Sequence, residues 1–393
     1  MTEPVAAEEA KLLEDALGLR AATFTLHSRE PLGEGSVVGF EVPGGEGGLL
    51  YYVDTSRLRV RDETGMLLGT PEDPRARVWL HPADPHLPAL APTAFGGALA
   101  GLLLRLGISA TGPAEFIVYR AGRRAVLRVP AGRGAVWVKV VRPSRLERTV
   151  HAHRAFGDAG VPGPAVLGWS PEGLIVLAEA EGVPAADVMW DADALLVQVD
   201  LLREQIADAR VDVRARGIAG RVDWYATRTA ALPGGEPLVR RIRERLAAAP
   251  DPGQQVVHGD LHFGQLFLGD DEAILAVIDV DTAGLGPAAE DPAAFIAHAV
   301  ASALLAEGAV AARVRELADA AWRRWRAEPL VPELTSIQLL GHALSAADAS
   351  APARAQSLLR ISGAVLEGTA PFCAEPAVNA EPKEPLTDSF GGS

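Results

Sequence analysis

The hydrophobic pattern of this chain changes period near Gly182. Before it, apolar residues come mostly in short runs between glycine-rich turns; beyond Pro184 they recur mostly at helical spacing. From Thr23 to Val60 the runs include Phe24, Val37-Val38, Phe40 and Leu49-Leu50-Tyr51-Tyr52-Val53, which predicts a small sheet. Its Gly44-Gly45-Glu46-Gly47-Gly48 segment lacks the Lys-Ser/Thr ending of a phosphate-binding loop and is a hairpin turn. Three further runs, Phe116 to Tyr119, Ala125 to Val129 and Ala135 to Val141, alternate with turns as an antiparallel meander. A fourth, from Leu174, leads to Gly182. A β-rich first half and an α-rich second half make an α+β chain.

Helical spacing predicts helices over 6–19, 95–106 and 144–159 in the first half, and over 192–209, 237–249, 291–305, 310–326, 337–347 and 353–366 in the second. The proline-rich segment from Trp79 to Pro88 is an extended linker or loop, and its His81 and His86 are surface or packing residues. On the helix over 237–249, the run Arg240, Arg241, Arg243 and Arg245 is interrupted by Glu244 and is a solvated face. Trp322 and Trp325 are packing residues. The last stretch, 371–393, is poor in apolar residues and reads as a disordered tail.

Composition narrows the function. The 393 residues carry 37 Lys and Arg against 51 Asp and Glu, a net charge of −14, which argues against nucleic acid and anionic membranes as partners. A single cysteine, Cys373, excludes an internal disulfide framework and a cysteine-based zinc site. Residues 1–11 are acidic and alanine-rich, without the features of a signal peptide, and no apolar run is long enough to span a bilayer. A cytoplasmic location is expected.

One hairpin interrupts the helical half. Residues 256–281 read as a loop containing His258, Gly259 and Asp260, a short strand, the polar turn Gly269-Asp270-Asp271-Glu272, and a second strand from Ile274 to Ile278 with Asp279 and Asp281 at its exit. Carboxylates and the Gln265 carboxamide gathered on one hairpin are oxygen donors suited to Mg²⁺. A different chemistry is also open: His258, Asp260 and His262 have a His-x-Asp-x-His spacing found in zinc hydrolases. Lys139, amid the third strand of the meander, must find a partner or snorkel from an edge strand.

This stretch resembles the catalytic core of the aminoglycoside phosphotransferase and choline kinase family, a branch of the protein-kinase-like fold, which carries His-Gly-Asp-x-x-x-x-Asn and a metal-binding Asp one hairpin later. Gln265 stands at the Asn position, and with the pair Asp279-Val280-Asp281 this is similar to the bacterial maltokinase and glucosamine-kinase type of sugar kinase. The resemblance implies a two-lobed α+β fold. A small β-rich N-terminal cap (1–107) precedes a β-rich nucleotide lobe (108–182) and a mostly helical C-terminal lobe with the catalytic loop (183–370). It implies ATP and Mg²⁺ as cofactors and a small-molecule acceptor, a sugar or amino sugar. An antibiotic acceptor and a noncatalytic binding module remain alternatives. Asp260 would orient the acceptor hydroxyl or accept its proton, and Gln265, Asp279 and Asp281 would hold the metal. Lys139 would bind phosphate oxygens. Glu147 is the one Glu on the following helix and the candidate partner of Lys139, while Glu179 and Glu181 mark the segment that would meet the adenine edge.

Overall fold

The computed structural model describes residues 6–44, 48–95, 97–215, 217–229 and 232–369. The chain divides into two compact units. The first holds the described residues up to Met189 together with Leu201–Val213 and Gln265–Gly284; the second holds Trp190–Asp200, Arg214–Gly264 and the described residues from Leu285.

In the first unit, α1 (Ala7–Leu17) is followed by β1 (Thr25–Leu32), β2 (Gly35–Val42), β3 (Leu49–Asp54), β4 (Met66–Gly69) and β5 (Pro74–Leu80). These strands form an antiparallel sheet in the order β1-β2-β3-β5-β4. Alternation divides its residues between two faces. Val38, Phe40, Val42, Val53 and Val78 pack with Leu13 of α1, whereas Val37, Tyr52 and Trp79 belong to a second cluster with Ala121. Val42 pairs with Leu49, so the expected hairpin forms around the glycine run, whose residues 45–47 lie outside the described ones. The strand β5 was not legible as such, and it takes Trp79 out of the predicted linker.

Next come α2 (Leu90–Ala94), α3 (Gly97–Arg105), β6 (Glu115–Arg120), β7 (Arg124–Ala131), β8 (Gly134–Val141), α4 (Pro143–Asp158), β9 (Val166–Ser170), β10 (Leu174–Ala178) and the two-residue β11 (Val183–Pro184). The second sheet has the order β6-β7-β8-β10-β9. On one face, Leu127, Val138, Val140 and Val176 bury against Leu87, Leu90, Leu99 and Leu103. On the other, Val141, Ile175 and Leu177 meet Leu146 and Val150 of α4. The predicted helix over 95–106 forms as α3, the short α2 ahead of it was not foreseen, and the proline-rich loop before them is a packed part of the core.

A buried polar network joins this loop to both sheets. Asp84 accepts hydrogen bonds from the Tyr119 hydroxyl (2.9 Å), the Gly122 amide (2.7 Å) and the His86 amide (2.9 Å). His86 Nε2 lies 2.9 Å from Asp54 Oδ2, which also faces Arg77 at 3.3 Å. Because Asp84 satisfies three buried donors, Asp84→Ala is expected to destabilise the protein by about 3 kcal/mol or more, read as a lower urea midpoint. A change under about 0.5 kcal/mol, the size of an ordinary surface effect, contradicts this account.

The helix α5 (Ala192–Ala207) begins in the second unit and ends in the first. Then follow α6 (Arg221–Ala226), α7 (Gly235–Ala248), β12 (Gln255–Val257), the hairpin β13 (Leu266–Leu268) and β14 (Ile274–Val277), β15 (Gly284–Gly286), α8 (Glu290–Ala303), α9 (Gly308–Trp325), α10 (Val331–Asp348) and α11 (Pro352–Leu366). The hairpin belongs to the first unit, where β13 also pairs with β11. Gly182, just before β11, has φ 93°, and a Cβ there would stand 2.7 Å from the Leu268 carbonyl oxygen, so this turn requires glycine.

In the second unit α10 packs against α6, α7, α8 and α11. Trp322 and Trp325 are buried, as expected; Trp325 meets Phe295 edge-on at 5.5 Å and donates to Asp200. The four arginines of α7 are exposed, with Arg243 and Arg245 paired to Asp223 and Glu333. The predicted tail over 371–393 lies outside the described residues. Among the described residues no helix is long and apolar enough to cross a membrane.

Candidate active site

Two clusters of polar side chains hold four of the residues singled out in the sequence: Lys139, Asp279 and Asp281 in the first unit and Asp260 in the second. In the first unit, alternation along β8 places Val136, Val138 and Val140 on the α2–α3 face, and so turns Trp137, Lys139 and Val141 toward the other. β8 is an inner strand, flanked by β7 and β10, so Lys139 cannot snorkel past an edge. It is buried, and its ammonium pairs with Asp279 Oδ1 at 3.0 Å and Asp281 Oδ2 at 2.6 Å. Burial works against the Lys139 charge, but Asp281 and Asp279 outweigh it and raise its pKa above the ordinary lysine range. Asp279 responds in the opposite sense: burial opposes its charge, and Lys139 and Arg124 overcome this and hold its carboxyl far below the usual range.

Arg124 was not singled out in the sequence, where it reads as the end of a turn. It opens β7, and its Nη1 lies 3.0 and 3.1 Å from the two Asp279 oxygens. The signal was its spacing: Arg124 and Val126 share a face, because Ala125, Leu127 and Val129 are committed to the α2–α3 core. Asp279 itself has φ 63° and ψ 45°, left-handed backbone that Asp tolerates better than most residues. The strained turn aims both acids of the Asp-Val-Asp pair at Lys139. The Gln265 carbonyl accepts the Ile278 amide at 3.1 Å, tying the start of the hairpin to the residue before Asp279.

A cavity of about 540 Å³ opens beside this cluster, with walls that are mostly apolar. Val126, Trp137, Leu177 and Phe267 line it, with Lys139, Arg124 and Asp279 as its charged end. Glu179 lines it too and accepts the Ala135 amide at 3.0 Å, while Glu181 is exposed. Glu147 is exposed in the first turn of α4, and among the described residues the ion pairs of Lys139 are with Asp279 and Asp281. The α4 side chain at the cavity is His153, which the sequence offers only as a histidine two residues from His151, a spacing that makes no joint metal site. Burial, and then the Lys139 charge, lower its pKa to about 4.

In the second unit Asp260 is the centre of a ring of donors. His298 Nε2 lies 3.4 Å and Gln338 Nε2 3.5 Å from its Oδ1, and Arg221 donates to Gln338 Oε1 at 2.8 Å. His262 stacks on His298 (4.2 Å between centroids), and His342 meets His298 edge-on at 4.7 Å. Burial raises and the hydrogen bond from His298 lowers the Asp260 pKa, with a net lowering that keeps it ionised. Tyr225 lies within electrostatic reach of Asp260; Trp224 is exposed, and Trp190 is buried against Phe263.

The loop bearing Asp260 is held by Asp291, whose two oxygens accept the amides of His258 (2.9 Å) and Gly259 (2.8 Å). An acid just before Pro292 reads locally as a helix cap, but Asp291 lies inside the first turn of α8, and its carboxylate goes to the loop. Its neighbour Glu290 is also buried. Burial, and then the Asp291 charge, push the Glu290 carboxyl up from 4.5 to about 7. The folded state therefore binds this proton more tightly, and the associated stability, complete below about pH 4.5, is lost as pH rises through 7. Glu290→Gln is expected to gain about 2–3 kcal/mol over the parent between pH 4.5 and pH 8, measured by urea denaturation at both values. A gain that does not depend on pH contradicts it.

The donor set fits a magnesium ion. Among the described residues Asp281 Oδ1 is buried with no hydrogen-bond partner, beside Asp279, and two carboxylates suit a hard cation that keeps waters and phosphates as its other ligands. Among the described residues no group of three or more His, Cys, Asp or Glu converges as a metal site, so His258, Asp260 and His262 do not assemble the zinc cluster their spacing allowed.

The model of the Phosphotransferase enzyme family matches residues 114–327, more than half of the chain. The chain belongs to this family. The match takes in the first cluster and Asp260, His262 and His298 of the second, whereas Gln338 and His342 on α10, like the first sheet, lie outside it. No curated protein matches the chain. Among solved structures, the apo form of a thermostable mutant of aminoglycoside phosphotransferase APH(4)-Ia is similar with TM-score 0.50 and 17% identity, over 68% of this chain and 97% of that one. The amicoumacin kinase hAmiN, solved with AMP-PNP, Ca²⁺ and Ami, has TM-score 0.50 and 13% identity, over 71% and 96%. These likenesses show a shared phosphotransferase fold, α+β with a sheet-rich first part and a helical second part, as the sequence implied.

Proposed function

We propose that this phosphotransferase moves the γ-phosphoryl group of Mg-ATP to a hydroxyl of a small molecule, a sugar or amino sugar. The observation that carries the proposal is Lys139: a buried ammonium on an inner strand, paired with two acids at the charged end of an apolar cavity. Such a site offers an apolar slot for a base and a fixed cation for phosphate oxygens. Asp279, Asp281 and Gln265 are the residues that hold the metal, which supplies neutralisation of phosphate charge when bound. Glu179 and Glu181 flank the cavity segment assigned to the adenine edge. Asp260, ionised and oriented by His298 and Gln338, takes the acceptor hydroxyl and its proton.

A second reading keeps the chemistry and makes the acceptor an antibiotic; two proteins of the same fold are named for such acceptors, an aminoglycoside phosphotransferase and an amicoumacin kinase. The surroundings of Asp260 favour the sugar. Three imidazoles, a carboxamide and a guanidinium ring one carboxylate there, which gives hydroxyls many partners and a polycation few. A coupled ATP-consumption assay with neutral sugars, amino sugars and aminoglycosides separates the readings. Transfer to aminoglycosides alone overturns the sugar assignment, and failure to bind Mg-ATP leaves a noncatalytic binding module.

A further inference from the structure

We propose that His153 is a positioning residue for Lys139: its Nε2 accepts a hydrogen bond from the Lys139 ammonium when Asp279 and Asp281 are engaged by a metal and its nucleotide. The inference rests on the nucleotide site proposed above. It starts from a demand on Lys139. A buried ammonium needs a hydrogen-bond acceptor in every state it visits. Its present acceptors, Asp279 Oδ1 and Asp281 Oδ2, belong to the two carboxylates that a metal needs. Once these are shared, Lys139 lacks a protein acceptor unless another group lies close.

The helix α4 supplies one. Leu146, Val150 and His153 lie at positions i, i+4 and i+7, one stripe of the helix, and Leu146 and Val150 are buried against Ile175 and Val141 of the sheet. Glu147 is one position off this stripe and exposed. The stripe thus delivers His153 to the cavity, where it lines the wall with Lys139 and Asp279. Its ring hydrogen-bonds the Pro164 backbone, and among the described residues its buried Nε2 has no hydrogen-bond partner. An imidazole that gives its Nδ1–H to a carbonyl presents a lone pair at Nε2, so this atom waits for a donor.

The choice of donor follows from chemistry. Phosphate oxygens are acceptors and do not pair with a lone pair. The ammonium has three N–H groups, enough to reach phosphate and Nε2 together. A neutral acceptor also differs from a glutamate in what it leaves behind: it aims the ammonium without cancelling its charge, so the nucleotide meets the full cation.

The test uses the full-length protein and AMP-PNP with magnesium, measured by calorimetry, beside steady-state kinetics with ATP. His153→Leu keeps an apolar fit to the wall and removes the acceptor; it is expected to weaken AMP-PNP binding about tenfold and raise KM for ATP with little change in kcat. His153→Gln, which retains an acceptor, is expected to stay within about threefold of the parent. In a Lys139→Met background, His153→Leu is expected to cost nothing further, which a general packing defect cannot mimic. Unweakened binding in His153→Leu, equal loss in the Leu and Gln variants, or full additivity with Lys139→Met overturns the proposal and leaves the phosphotransferase reading intact. Absence of AMP-PNP binding by the unaltered protein overturns both.

Discussion

Asp260→Asn is expected to lower turnover about 10²- to 10⁴-fold while AMP-PNP binding stays within threefold of the parent. The separation follows from where the residues lie. The charges proposed to meet the nucleotide, Lys139, Arg124, Asp279 and Asp281, belong to the first unit and pair among themselves, whereas Asp260 belongs to the second. Asn keeps the shape of the side chain and an oxygen for His298 and Gln338, so the loop held by Asp291 has no reason to move. What is lost is a charge that can draw the acceptor hydroxyl and take its proton. The measurement is a coupled ATP assay with the best acceptor, paired with calorimetry. Turnover within threefold of the parent removes Asp260 from the reaction.

Asp279→Asn is expected to act on the other arm. Asn tolerates the left-handed backbone at this position, so the variant tests the carboxylate rather than the turn. Turnover falls at least about 10²-fold, as for removal of a principal electrostatic contact in an active site. The concentration of magnesium needed to support AMP-PNP binding rises, because one of two carboxylates is gone. Binding whose magnesium dependence is unchanged assigns the metal elsewhere. Asp279→Val adds a backbone penalty to the same loss, so its thermal midpoint falls below that of Asp279→Asn.

The two residues were legible in the sequence for the same reason: they bracket a hairpin so short that local pattern specified it. The strands from Phe116 to Val141 were legible because alternation is sharp where one face is apolar. Other features were set by partners far away in the chain. Nothing local marks Asp291 as the clamp of a loop 32 residues earlier, since an acid before a proline looks like a cap. His153, two residues from His151 and so on a different side of the helix, reads as no metal pair, and only the stripe of Leu146 and Val150, which the fold buries, points it at the cavity. The polar loop from His81 to Pro88 read as linker because its composition is that of a turn; its burial comes from Asp54, Tyr119 and Gly122, which the loop reaches only in the folded chain.

The membership of the hairpin has a consequence for synthesis on the ribosome. The cavity beside Lys139 takes Phe267, Ile278 and Asp279 from a segment made about 130 residues later than β8, after α6 and α7 of the other unit have been translated. A nascent chain halted before Gln265 has both five-stranded sheets and α4, yet the Lys139 ammonium has neither acid with which to pair. The first unit is thus completed late, and until the hairpin emerges Lys139 is expected to be more open to solvent and proteases than in the finished fold. Arrested chains ending before and after Gly284 should differ sharply in protease resistance around β8, with protection appearing only in the longer one.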